Sequence, residues 1–221
     1  MVAGERTRST LNISTVFRGF CLATGTFAVV MILLSIAAYL PAHPDFSPFT
    51  TFLSDIGDTP GWPQVIFNTG TLIASPLRYL VLMLFVLQMY QLGAGRAFGA
   101  AVLVIGALAT IGTILMTAVP FSVGPTIHKI GIPLYFLGVV PMQMIIAGRE
   151  LRLKSIPRLL PIISLSLAGA YLVFFVLMVL YELDIVTRTT PVRPMIWQWL
   201  GFSLSILWVF AHGLMLEERS P

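Results

Sequence analysis

Residues 159–183 read LLPIISLSLAGAYLVFFVLMVLYEL, an apolar run whose single charged residue, Glu182, stands next to its end. A helix needs about 20 consecutive apolar residues to cross the roughly 30 Å hydrocarbon core of a bilayer. This stretch is long enough for such a helix, and no charge interrupts its middle. It therefore predicts a transmembrane α-helix.

Five further runs along the chain are comparably long and apolar. The six expected spans cover about residues 16–40, 64–92, 97–119, 127–147, 159–183 and 194–216. Charged residues make up only 10% of the 221 residues, whereas soluble domains carry about 25%. The sequence therefore predicts an all-α fold. It is expected to be one domain over residues 1–221, a polytopic integral membrane protein with a six-transmembrane-helix bundle.

Lysine and arginine are divided unevenly between the two ends of the bundle. Nine fall on the side of the N-terminus: Arg6, Arg8, Arg18, Arg96, Arg149, Arg152, Lys154, Arg158 and Arg219. Three fall on the opposite side: Lys129, Arg188 and Arg193. Because cytoplasmic loops carry the excess of positive charge, both termini are expected inside (N-in, C-in), in the cell membrane. The basic residues form no groove or stripe, so nucleic acid is not an expected partner.

Arg78 is the one charged residue deep inside an expected span. A charge is costly in a bilayer, so such a residue is a candidate functional group. At 100° per residue it belongs to a polar stripe that covers about 80° of the second span: Gln64, Asn68, Thr71, Ser75 and Arg78. Stripes on two other spans are more typical of close helix packing: Gly106, Thr110, Thr113 and Thr117, and Gln198, Gly201, Ser205, Trp208 and His212.

No acidic residue lies in the middle of an expected span, so a partner for Arg78 has to come from elsewhere. The first outer loop, residues 41–63, is unusually apolar and is expected to fold back onto the bundle. Its Asp55 is the first candidate partner, followed by Asp58 and by Glu182. In one interpretation Arg78 ties this loop to the bundle, and in the other it binds an anionic headgroup or a carboxylate.

The three histidines do not favour a metal site or a catalytic site. His43 and His128 are expected outside and His212 near the inner end of the sixth span, so they cannot converge on one ion. The chain has no HExxH, GxSxG, P-loop or Rossmann glycine motif. We therefore predict no metal, no cofactor and no catalytic residue. His128, at the outer end of the fourth span, is either a general base or pH-sensitive group, or a hydrogen-bond partner of the outer loop.

The first outer loop and the start of the second span carry a motif. It consists, in order, of Phe46-Ser47-Pro48, Phe52-Leu53-Ser54-Asp55-Ile56-Gly57 and Phe67-Asn68. The motif resembles the "YSP … iSdLG … fN" signature of the DUF998 family of six-helix membrane proteins, with Phe46 in place of tyrosine. Residues 54–58 are also similar to the "ISDTG" loop of the Frag1/DRAM/Sfk1 group, which is linked to lipid handling. The resemblance implies a six-helix fold and marks Ser54, Asp55, Gly57, Asn68 and His128.

Together these features favour binding of a lipid or other amphiphile in the outer half of the bundle. The expected ligand-binding residues are Arg78, Asn68, Ser75, Asp55, Ser54 and His128. Arg78 would contact an anionic group, and Asn68 and Ser75 would orient it. The expected partners are membrane lipids, including an anionic amphiphile. Three alternatives stay open: a small transporter or channel, a membrane scaffold or assembly factor, and an enzyme acting on lipid.

Overall fold

The computed structural model describes residues 12–118 and 120–216, which form seven α-helices and no β-strand. The helices are α1 (Ile13–Tyr39), α2 (Leu53–Asp58), α3 (Trp62–Gln91), α4 (Arg96–Ala118), α5 (Pro125–Glu150), α6 (Leu159–Glu182) and α7 (Pro194–Met215). All except α2 are long and apolar enough to cross a membrane. The all-α fold with six spans is therefore confirmed. Four residues used above lie outside the described ranges: Val119, the expected end of the third span, and Arg6, Arg8 and Arg219.

Glycine and proline mark both ends of α3. Gly61 has a φ of 98° and turns the chain into the helix, whose first turn contains Pro63. Gly93 has a φ of 91° and ends the helical path. The amide of Ala94 then bonds back to the carbonyl of Met89 at 2.8 Å, which satisfies one of the last carbonyl groups of the helix.

The six long helices form a closed ring. Each packs against the next along the chain, and α7 closes the ring by packing against α1. Phe136 lies inside and meets Tyr171 and Phe174 edge-on, with ring centroids 5.7 Å and 5.4 Å apart. Large apolar side chains such as Leu33 and Leu137 are exposed around the outside, as lipid tails require.

Helices α4 and α5 approach each other through their backbones. A Cβ atom on Gly112 would lie 2.4 Å from the amide nitrogen of Tyr135 and 2.8 Å from the carbonyl oxygen of Gly131. On the same helix the hydroxyl groups of Thr113 and Thr117 are buried and donate to carbonyl groups one turn earlier. The close approach of α4 to α5 is therefore made by Gly112, which is not a member of the predicted stripe. Of the stripe, Gly106, Thr110 and Thr113 face the centre of the six-helix ring.

The first outer loop folds back onto the bundle, as expected. Its short helix α2 buries Leu53 and Ile56 and packs against α3, α1 and α7. Just before α2, the carbonyl of Thr51 accepts a hydrogen bond of 2.9 Å from the indole of Trp199 on α7. This loop and α2 form a cap over the end of the ring that is expected to lie outside.

Candidate functional site

Arg78 has little polar contact within the described protein. It lies half-buried on α3, and its Nη2 reaches the Oγ of Ser75 at 3.5 Å, the limit of a hydrogen bond. Among the described residues no carboxylate lies within ion-pair distance of it. The expected pair between Arg78 and Asp55 is therefore wrong.

Asp55 is engaged at the capped end of the six-helix ring instead. Its two oxygens accept hydrogen bonds of 2.8 Å and 2.9 Å from the guanidinium of Arg188. One of them also accepts from the amide of Phe52 at 2.9 Å and so caps α2. The hydrogen bonds that Arg188 donates to Asp55 raise the pKa of Arg188 above its ordinary value. Arg78 lies roughly 24 Å along α3 from Trp62, at 1.5 Å per residue, and so cannot reach Asp55.

The other two candidate carboxylates also have partners at the capped end of the six-helix ring. Asp58 accepts hydrogen bonds from the amide and the hydroxyl of Ser122, at 2.9 Å and 2.6 Å. Glu182 pairs with the ammonium group of Lys129 at 2.6 Å. None of the three carboxylates proposed from the sequence therefore neutralises the guanidinium in the middle of α3.

The motif of the first loop holds α2 against α3. The Nδ2 of Asn68 donates to the carbonyl of Gly57 at 2.8 Å. A Cβ atom on Gly57 would lie 2.6 Å from the ring of Phe67 and 2.8 Å from the Oδ1 of Asn68, so only glycine fits there. Ser54 lies half-buried on α2. These positions sit with Asp55 at the cap, and of the expected site residues Ser75 alone contacts Arg78.

His128 lies in the first turn of α5, half-buried, at the same end of the ring as the cap. Its ring packs edge-on against Phe121, with the centroids 5.6 Å apart. It lines neither of the two cavities that reach Arg78. His128 is thus separate from the surroundings of Arg78.

An open groove lies where α1, α3 and α7 meet, and Arg78 stands at its deep end. The enclosed part of the groove has a volume of about 40 Å³. Its walls are largely apolar: Gly25, Ala28, Met31, Ile32, Phe67, Gly70, Ala74, Phe202, Ile206 and Val209 line it, with Thr24, Ser35, Thr71 and Ser205. The groove extends toward the capped end of the ring, the half in which the sequence placed the site.

A second cavity, of about 90 Å³, lies in the centre of the ring and is lined by α3 to α7. Arg78, Ser205 and Val209 line both spaces, so the guanidinium stands between the groove and the centre. The central cavity is the more polar of the two, with Tyr135, Tyr171, Thr110 and Gln143 on its walls. The side-chain oxygen of Gln143 is buried and has no hydrogen-bond partner among the described residues.

A buried polar cluster on α5, α6 and α7 was missed by sequence reasoning. It consists of Glu150, Ser164, Trp208 and His212. The sequence placed the end of the fourth span at Ala147 and Glu150 in a loop, whereas α5 continues to Glu150 and buries it. The predicted end of this span, Ala147, is therefore three residues short of the observed end, and a residue expected in a loop is buried. No group of three or more His, Cys, Asp or Glu in the described ranges is placed to hold a metal ion.

One signal in the sequence pointed to this cluster. His212 stands inside an apolar run, four residues after Trp208, and a histidine in such a run needs a polar partner. Glu150 lies three residues beyond the expected inner end of the fourth span. The polar stripe of the sixth span was interpreted as a packing seam, and its last two members belong to a hydrogen-bonded cluster.

Comparison with known proteins gives one family. The model of the Frag1/DRAM/Sfk1/Cwh43P N-terminal domain matches residues 16–211. No curated protein and no solved structure matches the chain. The match confirms the resemblance to the Frag1/DRAM/Sfk1 group, and the resemblance to the DUF998 family stays a prediction.

Proposed function

The chain belongs to the Frag1/DRAM/Sfk1/Cwh43P N-terminal domain family and is an integral membrane protein, and from this premise we propose that it binds an anionic amphiphile within the ring. The anionic group contacts Arg78 at the deep end of the groove. The apolar part lies along the walls that α1, α3 and α7 provide. Ser75, one turn before Arg78 on α3, contacts the guanidinium from the side of the central cavity and would help to hold it in place.

The observation that carries this proposal is the guanidinium of Arg78 without a carboxylate. An unpaired charge in a low-dielectric interior costs several kcal/mol, roughly, even after local relaxation. Arginine also presents five N–H donors in a planar fork that suits carboxylate and phosphate oxygens. Within the described chain only the 3.5 Å contact with Ser75 uses them. An anion supplied from the membrane would use the remaining donors.

The shape of the groove supports an amphiphile as the ligand. The α3 wall runs from Phe67 to Arg78, which is roughly 16 Å at 1.5 Å per residue. That length is about half of the ~30 Å hydrocarbon core. A single acyl chain in one leaflet fits such a groove better than a large headgroup.

A small transporter is the second candidate. The observation in its favour is the central cavity, which adjoins Arg78 and carries the unpartnered oxygen of Gln143. Passage of an anion through the ring would require that cavity to connect with both ends. In transport assays with vesicles, Arg78→Gln would then abolish the flux of the anion across the membrane, in addition to the retention of a bound ligand.

The test is native mass spectrometry of the full chain in mild detergent. Oleate and oleyl alcohol serve as probes, because they share a hydrocarbon tail and differ in charge. Wild type is expected to retain oleate over the alcohol, and Arg78→Gln is expected to lose that preference. Removing one partner of a buried charge pair costs about 2–5 kcal/mol, which is roughly 30-fold or more in affinity.

Two variants control the test. Arg78→Lys keeps the charge and is expected to retain part of the preference for oleate. Arg152→Gln removes an exposed arginine outside the spans and is expected to behave as wild type. Equal retention of oleate by wild type and by a folded Arg78→Gln variant would contradict the proposal, and Arg78 would then be a packing residue.

A further inference from the structure

Four side chains from three helices form a closed ring of hydrogen bonds in the half of the bundle away from the cap. The indole N–H of Trp208 donates to the Oγ of Ser164 at 2.9 Å, and that hydroxyl donates to the Oε2 of Glu150 at 3.0 Å. The other carboxyl oxygen lies 2.6 Å from the Nε2 of His212. The Nδ1 of His212 returns to the carbonyl of Trp208 at 2.8 Å.

This hydrogen-bonded ring is closed off from solvent. Ser164 and His212 are 0% exposed and Glu150 is 1% exposed. The imidazole of His212 stacks on the indole of Trp208, with the centroids 4.0 Å apart. Because these groups are shielded from water, they have to satisfy their hydrogen bonds with one another. The donors and acceptors present therefore determine how many protons the cluster holds.

The number of protons follows from the partners of His212. A carbonyl oxygen only accepts, so the contact with the carbonyl of Trp208 requires a proton on Nδ1. The 2.6 Å contact between Nε2 and the Oε1 of Glu150 then requires a second proton between them. That proton makes either an imidazolium with a carboxylate or an imidazole with a carboxylic acid. In both forms the pair holds one shared proton and no net charge.

We infer that Glu150 and His212 form a buried binding site for one proton, and that this proton holds the inner parts of α5, α6 and α7 together. Without it, a carboxylate oxygen and an imidazole lone pair face each other at 2.6 Å. The pair would also carry a buried negative charge that no described residue compensates. The hydrogen-bonded ring then opens, and Trp208, which also lines the central cavity, loses its partners.

No neighbouring cation in the described protein replaces this proton. Helix α3 presents the ring of Phe85, 5.6 Å from that of His212, and the neutral amide of Gln88 one turn further on. Arg149 on α5 is directed to the carbonyl of Gly93. Helix α1 contributes the thiol of Cys21, which packs against Gly213 beside His212, and Arg18 on α1 is exposed. The described residues provide no lysine or arginine within ion-pair distance of Glu150.

The direction of the pH dependence follows from proton counting. In an unfolded chain a histidine holds its extra proton below about pH 6.5 and a glutamate below about pH 4.3. Between about pH 4.3 and about pH 6.5 the pair carries one proton in the folded and in the unfolded protein, so the folding constant does not change with pH. Above about pH 6.5 the folded state carries one more, and the constant falls by up to about tenfold per pH unit.

Glu150→Gln is expected to reverse this dependence. The amide can donate to the Nε2 of His212 and accept from Ser164, so the hydrogen-bonded ring stays closed without a titratable proton. His212 is then held neutral in the folded state. The folding constant should be level above about pH 6.5 and fall below it, because only the unfolded histidine takes up a proton there.

The experiment is reversible unfolding of the full chain in mixed micelles of dodecyl maltoside and sodium dodecyl sulfate, from about pH 5 to about pH 9. Wild type and Glu150→Gln should show opposite slopes. The control Glu182→Gln, which removes an exposed carboxylate from an ion pair, should follow wild type. His43 and His128 are common to all three, so their contribution cancels in the comparison.

A second variant makes the test independent of how well Glu150→Gln folds. Ser164→Ala keeps the pair and removes one member of the hydrogen-bonded ring, so it should lower the folding constant at every pH and keep the wild-type slope. A wild-type folding constant that does not fall above about pH 6.5 would overturn the inference. So would a fall of equal size in Glu150→Gln.

Discussion

At the scale of single residues, the strictest steric requirement is at the contact between Gly112 and Gly131, where a side chain has no room. A side chain at Gly112 would collide with the backbone of α5, which cannot move aside as a flexible side chain can. Gly112→Ala should therefore lower the free energy of unfolding by about 1–3 kcal/mol, the usual cost of overpacking. The measurement is the midpoint of unfolding in mixed micelles.

Gly169 provides the matched control for this prediction. It lies inside α6, and nothing stands within contact distance of a Cβ atom built on it. Because alanine is the better helix former, Gly169→Ala should be neutral or stabilising by up to about 1 kcal/mol. If both substitutions lowered the midpoint equally, the cost would not come from the contact between α4 and α5.

The sequence predicts which residues have candidate functional side chains, but it does not predict partners that are distant in the chain. Arg78 stands out because a charge inside an apolar run is rare, and it does line the groove and the central cavity. Its partner could not be predicted, because Asp55 pairs with Arg188, which is 133 positions away in the chain. Glu150 was missed because a charged residue at the end of an apolar run is usually solvated, whereas here α5 continues and buries it.

At the scale of elements, α2 is held to the ring by contacts that differ in kind. Leu53 and Ile56 are buried, and these apolar contacts hold the cap whatever the ionic state. The pair of Asp55 with Arg188 adds two hydrogen bonds, and the side chains are 26% and 48% exposed. An ion pair so accessible to water contributes about 1 kcal/mol. The cap should therefore loosen without the pair while the helices stay folded.

Arg188→Gln tests this at the cap itself. Hydrogen exchange of the amides in residues 44–61 is expected to speed up about fivefold, which corresponds to about 1 kcal/mol. Exchange in α5 and α6 should not change. Lys129→Gln breaks the other outer ion pair, with Glu182, which does not involve α2. Equal loosening of the cap in both variants would show that surface charge, rather than the specific pair, sets its protection.

The long helices are predicted by a different sequence signal from the one that predicts the cap. Each long helix is specified by its own apolar run, so length and hydropathy predict it without knowledge of its neighbours. Predicted starts such as Gln64 for α3 fall within a few residues of those observed, because glycine and proline mark the ends. The short α2 has no such run, and the sequence predicted only that its loop folds back.

At the scale of the whole molecule, the closure of α7 onto α1 creates the groove. Consecutive spans usually pack as neighbours, so sequence order accounts for five of the contacts around the ring. The sixth contact joins the two ends of the chain, and no local pattern predicts it. The small and apolar residues of α1 and α7 leave space there, and Arg78 on α3 closes that space from within.

The orientation of the ring in the membrane rests on its charged loops. Six described Lys and Arg residues lie at the inner end and three at the outer end: Arg18, Arg96, Arg149, Arg152, Lys154 and Arg158, against Lys129, Arg188 and Arg193. Positive charge is retained on the cytoplasmic side during insertion, so the loop between α5 and α6 should face the cytoplasm. The cap would then lie on the outer side of the membrane, and the mouth of the groove would open into the outer leaflet.

Labelling of single cysteines in intact cells tests this orientation. Val192→Cys, in the loop between α6 and α7, should react with a membrane-impermeant maleimide. Lys154→Cys should react only after the membrane is permeabilised. Both positions are exposed, so access rather than burial decides the result, and the native Cys21 is buried and should stay unlabelled. The reverse pattern would place the cap and the mouth of the groove at the cytoplasmic leaflet, and an amphiphile would then enter from that side.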